Sequence, residues 1–231
     1  MKFRLFCLIG IYALMLTGCA GTPPQKPVPF SVTTFQSPVN RVGVVMTQVP
    51  KTNTYFPGAN CLLCIAAASA ANSTMTDYVR TLPNDDLAAM KEQVAEALKK
   101  KSADVVIISD LLKLSDLPSN DAAGTNIARK NFSAFHAKYN IDKLVVVDFN
   151  FAGVQRPYAN YFPASEPKAV VSGFAYMINL GDNSYEWYQP LNETKATDGA
   201  WDEAPKFPAL TNAYFQALEL AKDDVLHPLG L

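Results

Sequence analysis

The sequence has few of the residues that enzymes use for acid–base or metal chemistry. Only two histidines occur in 231 residues, His136 and His227, and they are far apart in the chain. Neither has a second ligand at the spacing of a metal site. The GxSxG, HExxH, Walker and GxGxxG motifs are all absent. The sequence therefore predicts a protein that is not an enzyme and that holds no metal and no cofactor.

The sequence also lacks an excess of charge of either sign. Lysine and arginine total 20 and aspartate and glutamate total 21. The one basic cluster, Lys99–Lys101, is typical of a helix end. The acidic pairs at 85–86 and 223–224 fall on predicted helices and are typical of solvated faces. Because nucleic-acid-binding domains carry a basic face, we expect no nucleic acid partner.

No run of eighteen apolar residues is present, so no transmembrane helix is predicted. The longest apolar run is LFCLIGIYALML at 5–16, which follows Lys2 and Arg4. A short apolar run after a positive start is typical of a signal peptide and is too short to span a bilayer comfortably. The residues that follow are Leu16, Thr17, Gly18 and Cys19.

This arrangement resembles the signal and lipobox of bacterial lipoproteins. The resemblance implies that residues 1–18 are cleaved, that the Cys19 sulfur is diacylated and that the new amino group is acylated. Two or more acyl chains hold a protein firmly at a membrane, whereas one chain does so only marginally. Because Ala20 is not aspartate, the resemblance also implies sorting to the outer membrane. We therefore expect a protein that is anchored by lipid to the periplasmic face of the outer membrane.

A proline-rich segment follows the cysteine. Four prolines lie between Pro23 and Pro29, and such spacing favours an extended polyproline conformation. Residues 19–39 are interpreted as a semi-rigid tether, and 40–231 as a periplasmic domain. A proline-rich ligand for a partner protein is the alternative interpretation of this segment.

The domain alternates strands and helices early and carries a hairpin late. Gly181, Asp182 and Asn183 have the residue types that a tight hairpin turn needs. The predicted order, β-α-β-α-β-β-β-α, indicates an α/β (mixed α+β) fold with one mixed sheet packed by about three helices. Residues 50–82 have no assignment. The predicted strands are 41–49, 103–110, 142–154, 168–180 and 184–196, and the predicted helices are 83–101, 121–141 and 207–226.

The late elements resemble the α/β domain of envelope lipoproteins and periplasmic proteins of the TolB N-terminal, LpoB and CsgG kind. The segment FAYMINLGDNSYEWYQ at 174–189 and the helix at 207–226 carry the resemblance. It implies a part in an envelope complex, and a CsgG-like protein would be a subunit of an oligomeric secretion channel. In such channels hairpins from each subunit cross the membrane, and the hairpin at 168–196 is the only candidate. The charged residues Glu186, Glu193 and Lys195 count against it.

Cys61 and Cys64 have CxxC spacing, and mostly alanine follows them. A disulfide is one interpretation in an oxidising periplasm, and two buried thiols are another. A thiol oxidoreductase is a third, although no strand of the thioredoxin type precedes the pair. The small residues at 66–71 would let another backbone approach closely, within the fold or in a second copy of the chain.

Two loops are rich in aromatic residues. We expect 51–60 and 148–167 to supply the contact surface for an envelope protein, a glycan or a neighbouring subunit of a homo-oligomer, as exposed aromatic residues do at many interfaces. A loop folded back over one end of the sheet is the alternative. The function predicted from sequence is a non-catalytic accessory or assembly factor. The candidate contact residues are Tyr55, Phe56, Arg156, Tyr158, Tyr161 and Phe162.

Overall fold

A computed structural model of the protein describes residues 24–31, 41–101, 103–122 and 124–230. The predicted signal peptide, Cys19 and Ala20 lie outside the described residues. Within them the chain forms a six-stranded sheet, a small two-stranded sheet and six α-helices. The strands are β1 Arg41–Met46, β2 Asn53–Tyr55, β3 Asp104–Ile107, β4 Lys143–Gln155, β5 Tyr158–Ala159, β6 Phe162–Pro163, β7 Lys168–Asn179 and β8 Ser184–Ala196. The helices are α1 Leu62–Ala71, α2 Ser73–Val79, α3 Asp85–Ala88, α4 Met90–Lys100, α5 Ala134–Tyr139 and α6 Pro208–Leu226.

The large sheet is mixed, which confirms the predicted fold class. Its strand order is β3-β1-β4-β7-β8, and β2 lies beside β4 beyond the end of β1. β1 is parallel to β3 and β4, whereas β7 is antiparallel to both β4 and β8. The predicted late hairpin is thus present as β7 and β8. Its turn contains Asn183 at φ 61°, a left-handed conformation that asparagine tolerates.

One face of the sheet is covered by α4 and α6. The α6 helix presents an apolar stripe at helical spacing, and Trp187 of β8 lies buried in the same core cluster. These side chains form the larger hydrophobic core, which packs the β7–β8 hairpin against α6. The buried residues of α6 are Leu210, Ala213, Tyr214, Ala217, Leu218, Ala221 and Val225.

The predicted helix at 121–141 is wrong except for its last turns, which form α5. Ala128 and Phe132 are buried as expected, but neither lies in a helix. Asn183 explains the difference, because its side chain accepts from Phe132 N–H and donates to the carbonyls of Ala128 and Lys130. Backbone groups bonded to the hairpin turn in this way are not available to a helix.

Two other predictions need correction. The strand predicted as buried at 103–110 is β3, which lies at the sheet edge and leaves Asp104 and Ile107 exposed. The helix predicted at 83–101 is interrupted at Ala89 and forms α3 and α4. The unassigned segment 50–82 contains β2, α1 and α2. Throughout the described ranges, no helix has the length and apolar character needed to cross a bilayer.

Candidate interaction surface

The structure brings the two aromatic loops together at one end of the sheet. β2 pairs with the last residues of β4, and three backbone hydrogen bonds continue the contact. Arg156 N–H donates to the Tyr55 carbonyl at 3.0 Å, and Tyr158 N–H donates to the Pro57 carbonyl at 2.7 Å. The third bond joins Asn160 N–H to the Gly58 carbonyl at 3.2 Å. Residues distant in sequence therefore form one continuous surface.

The CxxC segment begins the helix that lies beside these loops. Cys61 is the N-cap residue of α1 and is joined to Cys64 by a disulfide. Cys64 N–H donates to Cys61 Sγ at 3.0 Å, and Cys61 Sγ lies 3.6 Å from Tyr161 Oη. Cys64 is buried in a small cluster with Ala59 and Tyr158. The pair therefore fixes the start of α1 against the second aromatic loop.

A buried polar cluster holds the other end of α1. Asn72 Nδ2 donates to Tyr158 Oη and to the Ala68 carbonyl, both at 2.7 Å. Asn72 Oδ1 accepts a 2.7 Å hydrogen bond from Arg156 Nη1, and the guanidinium lies 4.7 Å from the centre of the Trp201 ring. The Arg156 guanidinium therefore makes its contacts within the fold, with Asn72 and Trp201.

The structure separates the candidate contact residues into two groups. Tyr158, predicted as a contact residue, is only 6% exposed and is buried within the fold rather than presented on the loop surface. Phe56 is half-buried and packs edge-on against Tyr158, with ring centres 5.8 Å apart. Tyr55, Tyr161 and Phe162 remain exposed. The same two loops are thus folded back at Phe56 and Tyr158 and exposed at Tyr55, Tyr161 and Phe162.

Exposed apolar side chains of α1 extend this surface, and the sequence interpretation missed them. Leu62 is 87% exposed and Leu63 is 71% exposed. Phe162 is 74% exposed and lies in the short hairpin of β5 and β6, which we call the aromatic hairpin. Only Cys64 and Ala68 of α1 are buried, although the helix contains no charged residue. We call the exposed set the α1 surface. It consists of Tyr55, Leu62, Leu63, Ile65, Tyr161 and Phe162.

A sequence signal for this surface does exist. No charged residue occurs between Lys51 and Asp77, whereas a helix exposed on a soluble domain ordinarily carries charge on its outer face. The remaining outward positions of α1 are small residues, from Ala66 to Ala71. The other large apolar side chains exposed in the described part of the chain are Ile107, Leu111 and Phe215.

Neither histidine nor cysteine forms a metal centre in the described residues, where no group of three or more potential ligands is placed to hold an ion. His136 Nδ1 lies 2.6 Å from the Ile141 carbonyl and therefore has a backbone partner. Asp148 is a buried carboxyl on the face of the sheet opposite to α4 and α6. Thr47 Oγ1 donates a 2.7 Å hydrogen bond to it. Burial raises the pKa of Asp148, and it raises the pKa of Tyr185 on β8 to about 12. Asp148 belongs to the packed interior, and Tyr185 is half-buried.

Comparison with known proteins identifies neither a family nor a function. No family model and no curated protein matches the chain. Among solved structures, the PelC dodecamer from Paraburkholderia phytofirmans is 12% identical, with 86% of this chain and 96% of that chain covered and a TM-score of 0.29. Lipoprotein GNA1162 from Neisseria meningitidis is 11% identical, with coverage of 78% and 99% and a TM-score of 0.28. A neuraminyllactose-binding hemagglutinin homologue from Helicobacter pylori is 12% identical, with coverage of 90% and 94% and a TM-score of 0.35.

Proposed function

We propose that this protein is a lipoprotein that acts, without catalysis, as an accessory or assembly factor in an envelope complex. Acyl chains on Cys19 anchor it to the periplasmic face of the outer membrane, and the α1 surface contacts a protein partner. The observation that carries the proposal is that six large apolar side chains are exposed on α1 and on the two loops that pack beside it. Large apolar side chains exposed close together on a soluble domain mark interaction sites.

The rigidity of the α1 surface favours binding. The disulfide fixes the start of α1, and the Asn72 cluster fixes its end against the aromatic hairpin. A surface already held in its bound shape loses less conformational entropy when a partner arrives. Leucine and aromatic side chains projecting from such a frame are suited to fill pockets on another protein.

The thiol oxidoreductase alternative receives less support from the surroundings of Cys64. An incoming thiolate would attack the sulfur of Cys61, the exposed residue of the pair, and Cys64 would then leave as a thiolate. Cys64 is only 1% exposed and lies against apolar groups. Burial of this kind disfavours a thiolate and slows its departure. A structural disulfide that presents α1 fits the site better.

The channel alternative needs a hairpin that is free to leave the domain. The candidate hairpin at 168–196 is β7 and β8, and β7 lies between β4 and β8 in the sheet. Met177 and Trp187 of this hairpin are buried in the core beneath α6. Releasing the hairpin would therefore open the main core of the domain.

Site-specific photo-crosslinking in cells of the native host tests the proposal. The crosslinking residue replaces Leu63 or Phe162 in the full-length protein, and Leu111 serves as the control because it is apolar and 55% exposed at another site. We expect a discrete protein adduct from Leu63 and Phe162 that Leu111 does not give. The same adducts from all three positions, or adducts with lipid alone, would contradict the proposal.

A further inference from the structure

A groove beside the α1 surface has a different chemical character. It lies between β2 with the loop that follows it and the outer sides of α1 and α2. Its volume is about 540 Å³, which is within the range of small-molecule binding sites. The groove shares only Tyr55 and Ile65 with the α1 surface, and most of its other lining residues are polar.

Tyr55 gives the groove an aromatic wall. The residue is 54% exposed, and its ring packs edge-on against Phe151, with ring centres 6.4 Å apart. Because Tyr55 lies on a strand that is hydrogen-bonded to β4, its backbone position is fixed. A fixed, exposed aromatic ring offers the flat apolar face against which the C–H groups of a sugar ring stack.

Hydroxyl and amide groups line much of the rest of the groove. Ser69 and Ser73 are exposed on the helix side, and Asn60 is exposed on the loop side. Thr76 Oγ1 lies 2.7 Å from Thr54 Oγ1, so this pair of hydroxyls closes the floor of the groove between α2 and β2. These are neutral groups that donate and accept hydrogen bonds, as the hydroxyls of a sugar require.

Among the described residues that line the groove, Asp77 and Arg80 alone are charged. Arg80 Nη1 lies 3.9 Å from Asp77 Oδ1, and Arg80 Nε donates to Asn53 Oδ1 at 3.1 Å. The two charges cancel, so the groove has no electrostatic preference for an anion or a cation. Because Oδ1 of the Asn53 side chain already accepts a hydrogen bond from Arg80, the side-chain NH₂ group of Asn53 is the part that a ligand would contact.

We propose that this groove binds a neutral oligosaccharide. One sugar ring stacks on Tyr55, and hydroxyls of the same or the next ring bond to Asn53, Ser69 and Asp77. The hydroxyl and amide groups of the lining give a sugar more hydrogen-bond partners than an acyl chain can use, and the paired charges of Asp77 and Arg80 give an acidic glycan or a phosphate no net attraction. The proposal is independent of the protein contact, since it requires neither Cys19 nor the leucines of α1.

Titration of the purified full-length protein with defined trisaccharides tests this site. The neutral probes are chitotriose, maltotriose and cellotriose, and the comparison probes are sialyllactose and trialanine. We expect saturable binding of at least one neutral trisaccharide by calorimetry or by NMR of the sugar, with weaker binding of the acidic sugar and of the peptide. The proposal is overturned if no neutral trisaccharide binds at millimolar concentration, or if sialyllactose or trialanine binds more tightly.

Three variants locate the binding. Tyr55→Ala should weaken it by about tenfold or more, equivalent to about 1.4 kcal/mol, whereas Tyr55→Phe should retain it. Tyr161→Ala is the matched control, because Tyr161 is 50% exposed on the adjacent hairpin and does not line the groove. Ser69→Arg should block the groove from an exposed helix position. Binding that survives both Tyr55→Ala and Ser69→Arg, in variants that keep the wild-type unfolding midpoint, would place any sugar elsewhere.

Discussion

Asn72 Nδ2 donates a 2.7 Å hydrogen bond to Tyr158 Oη and thereby joins the end of α1 to the aromatic hairpin. Both residues are buried, and Arg156 completes the cluster by donating to Asn72 Oδ1. The two halves of the α1 surface come from segments far apart in the chain. This bond is therefore one of the contacts that make them a single surface.

Replacing Asn72 should destabilise the domain. Asn72→Ala leaves the Tyr158 hydroxyl and the Arg156 guanidinium without this partner in a buried site, and a buried polar group left unpaired costs about 1–3 kcal/mol. The free energy of unfolding in urea measures the loss. Asn60→Ala, at an exposed position of the adjoining loop, should change it by less than about 0.5 kcal/mol. Equal effects of the two substitutions would show that the buried cluster contributes nothing.

Removing the disulfide should loosen α1 without abolishing the fold. Cys61 and Cys64 close a very short loop, for which the chain-entropy model gives about 2 kcal/mol of stabilisation. The double variant Cys61→Ala with Cys64→Ala should lose this amount in urea unfolding, and dithiothreitol should lower the stability of the wild type but not of the variant. No change on adding dithiothreitol to the wild type would exclude a stabilising disulfide. We also expect no reduction of insulin by the wild-type protein.

The hydrophobic core beneath α6 should be sensitive to truncation. Leu218 is 1% exposed within the apolar stripe of α6, and Leu218→Ala should lower the unfolding free energy by about 2–5 kcal/mol. Gln216→Ala, two positions earlier on the exposed side of the same helix, is the matched control and should have an effect below about 0.5 kcal/mol. A small effect at Leu218 would mean that α6 does not pack on the sheet as described.

Asp148 should make stability depend on pH. Burial raises its pKa above the ordinary value of 3.8, so the folded state favours the protonated carboxyl. The stability that this shift gives the folded state is fully present at pH values below the pKa of Asp148 in the unfolded chain. It is lost as the pH rises through the pKa of Asp148 in the folded protein. Asp148→Asn removes this loss and keeps an acceptor for the Thr47 hydroxyl. The variant should therefore be more stable than the wild type at pH 7, and the difference should shrink as pH falls toward 3.

Thermal unfolding at several pH values measures that difference. Asp198→Asn is the control, because Asp198 is exposed in the loop before α6. An Asp148→Asn protein whose advantage is the same at pH 3 and at pH 7 would show that the ionisation of Asp148 does not destabilise the fold.

Local patterns predict those parts of the fold that local forces decide. The Gly-Asp-Asn turn and the apolar stripe of α6 are short-range signals, and both elements form as expected. The segment before α5 is decided by a distant residue, because Asn183 binds its backbone. Periodicity at 121–141 reports correctly that Ala128 and Phe132 are buried, but it cannot report that hydrogen bonds to Asn183 replace those of a helix.

The same distinction applies to the candidate site. Aromatic composition identifies the two loops, but their meeting depends on β2 pairing with β4, which separate segments of sequence do not reveal. Apart from Ser69, helix α1 consists of apolar residues and a cysteine, so its sequence has no amphipathic pattern to indicate which side is exposed. Its lack of charge is the sequence signal that sets this exposed helix apart.

The most direct test of the whole account is mass spectrometry of the mature amino terminus after purification from native outer membranes. We predict that the protein begins at Cys19 and that this residue carries the added mass of a diacylglyceryl group and an amide-linked acyl chain. We also predict that Cys19→Ser protein is not processed and does not fractionate with the outer membrane. A chain that still begins at Met1 with an unmodified Cys19, or a Cys19→Ser protein that matures and localises as the wild type does, would contradict the account.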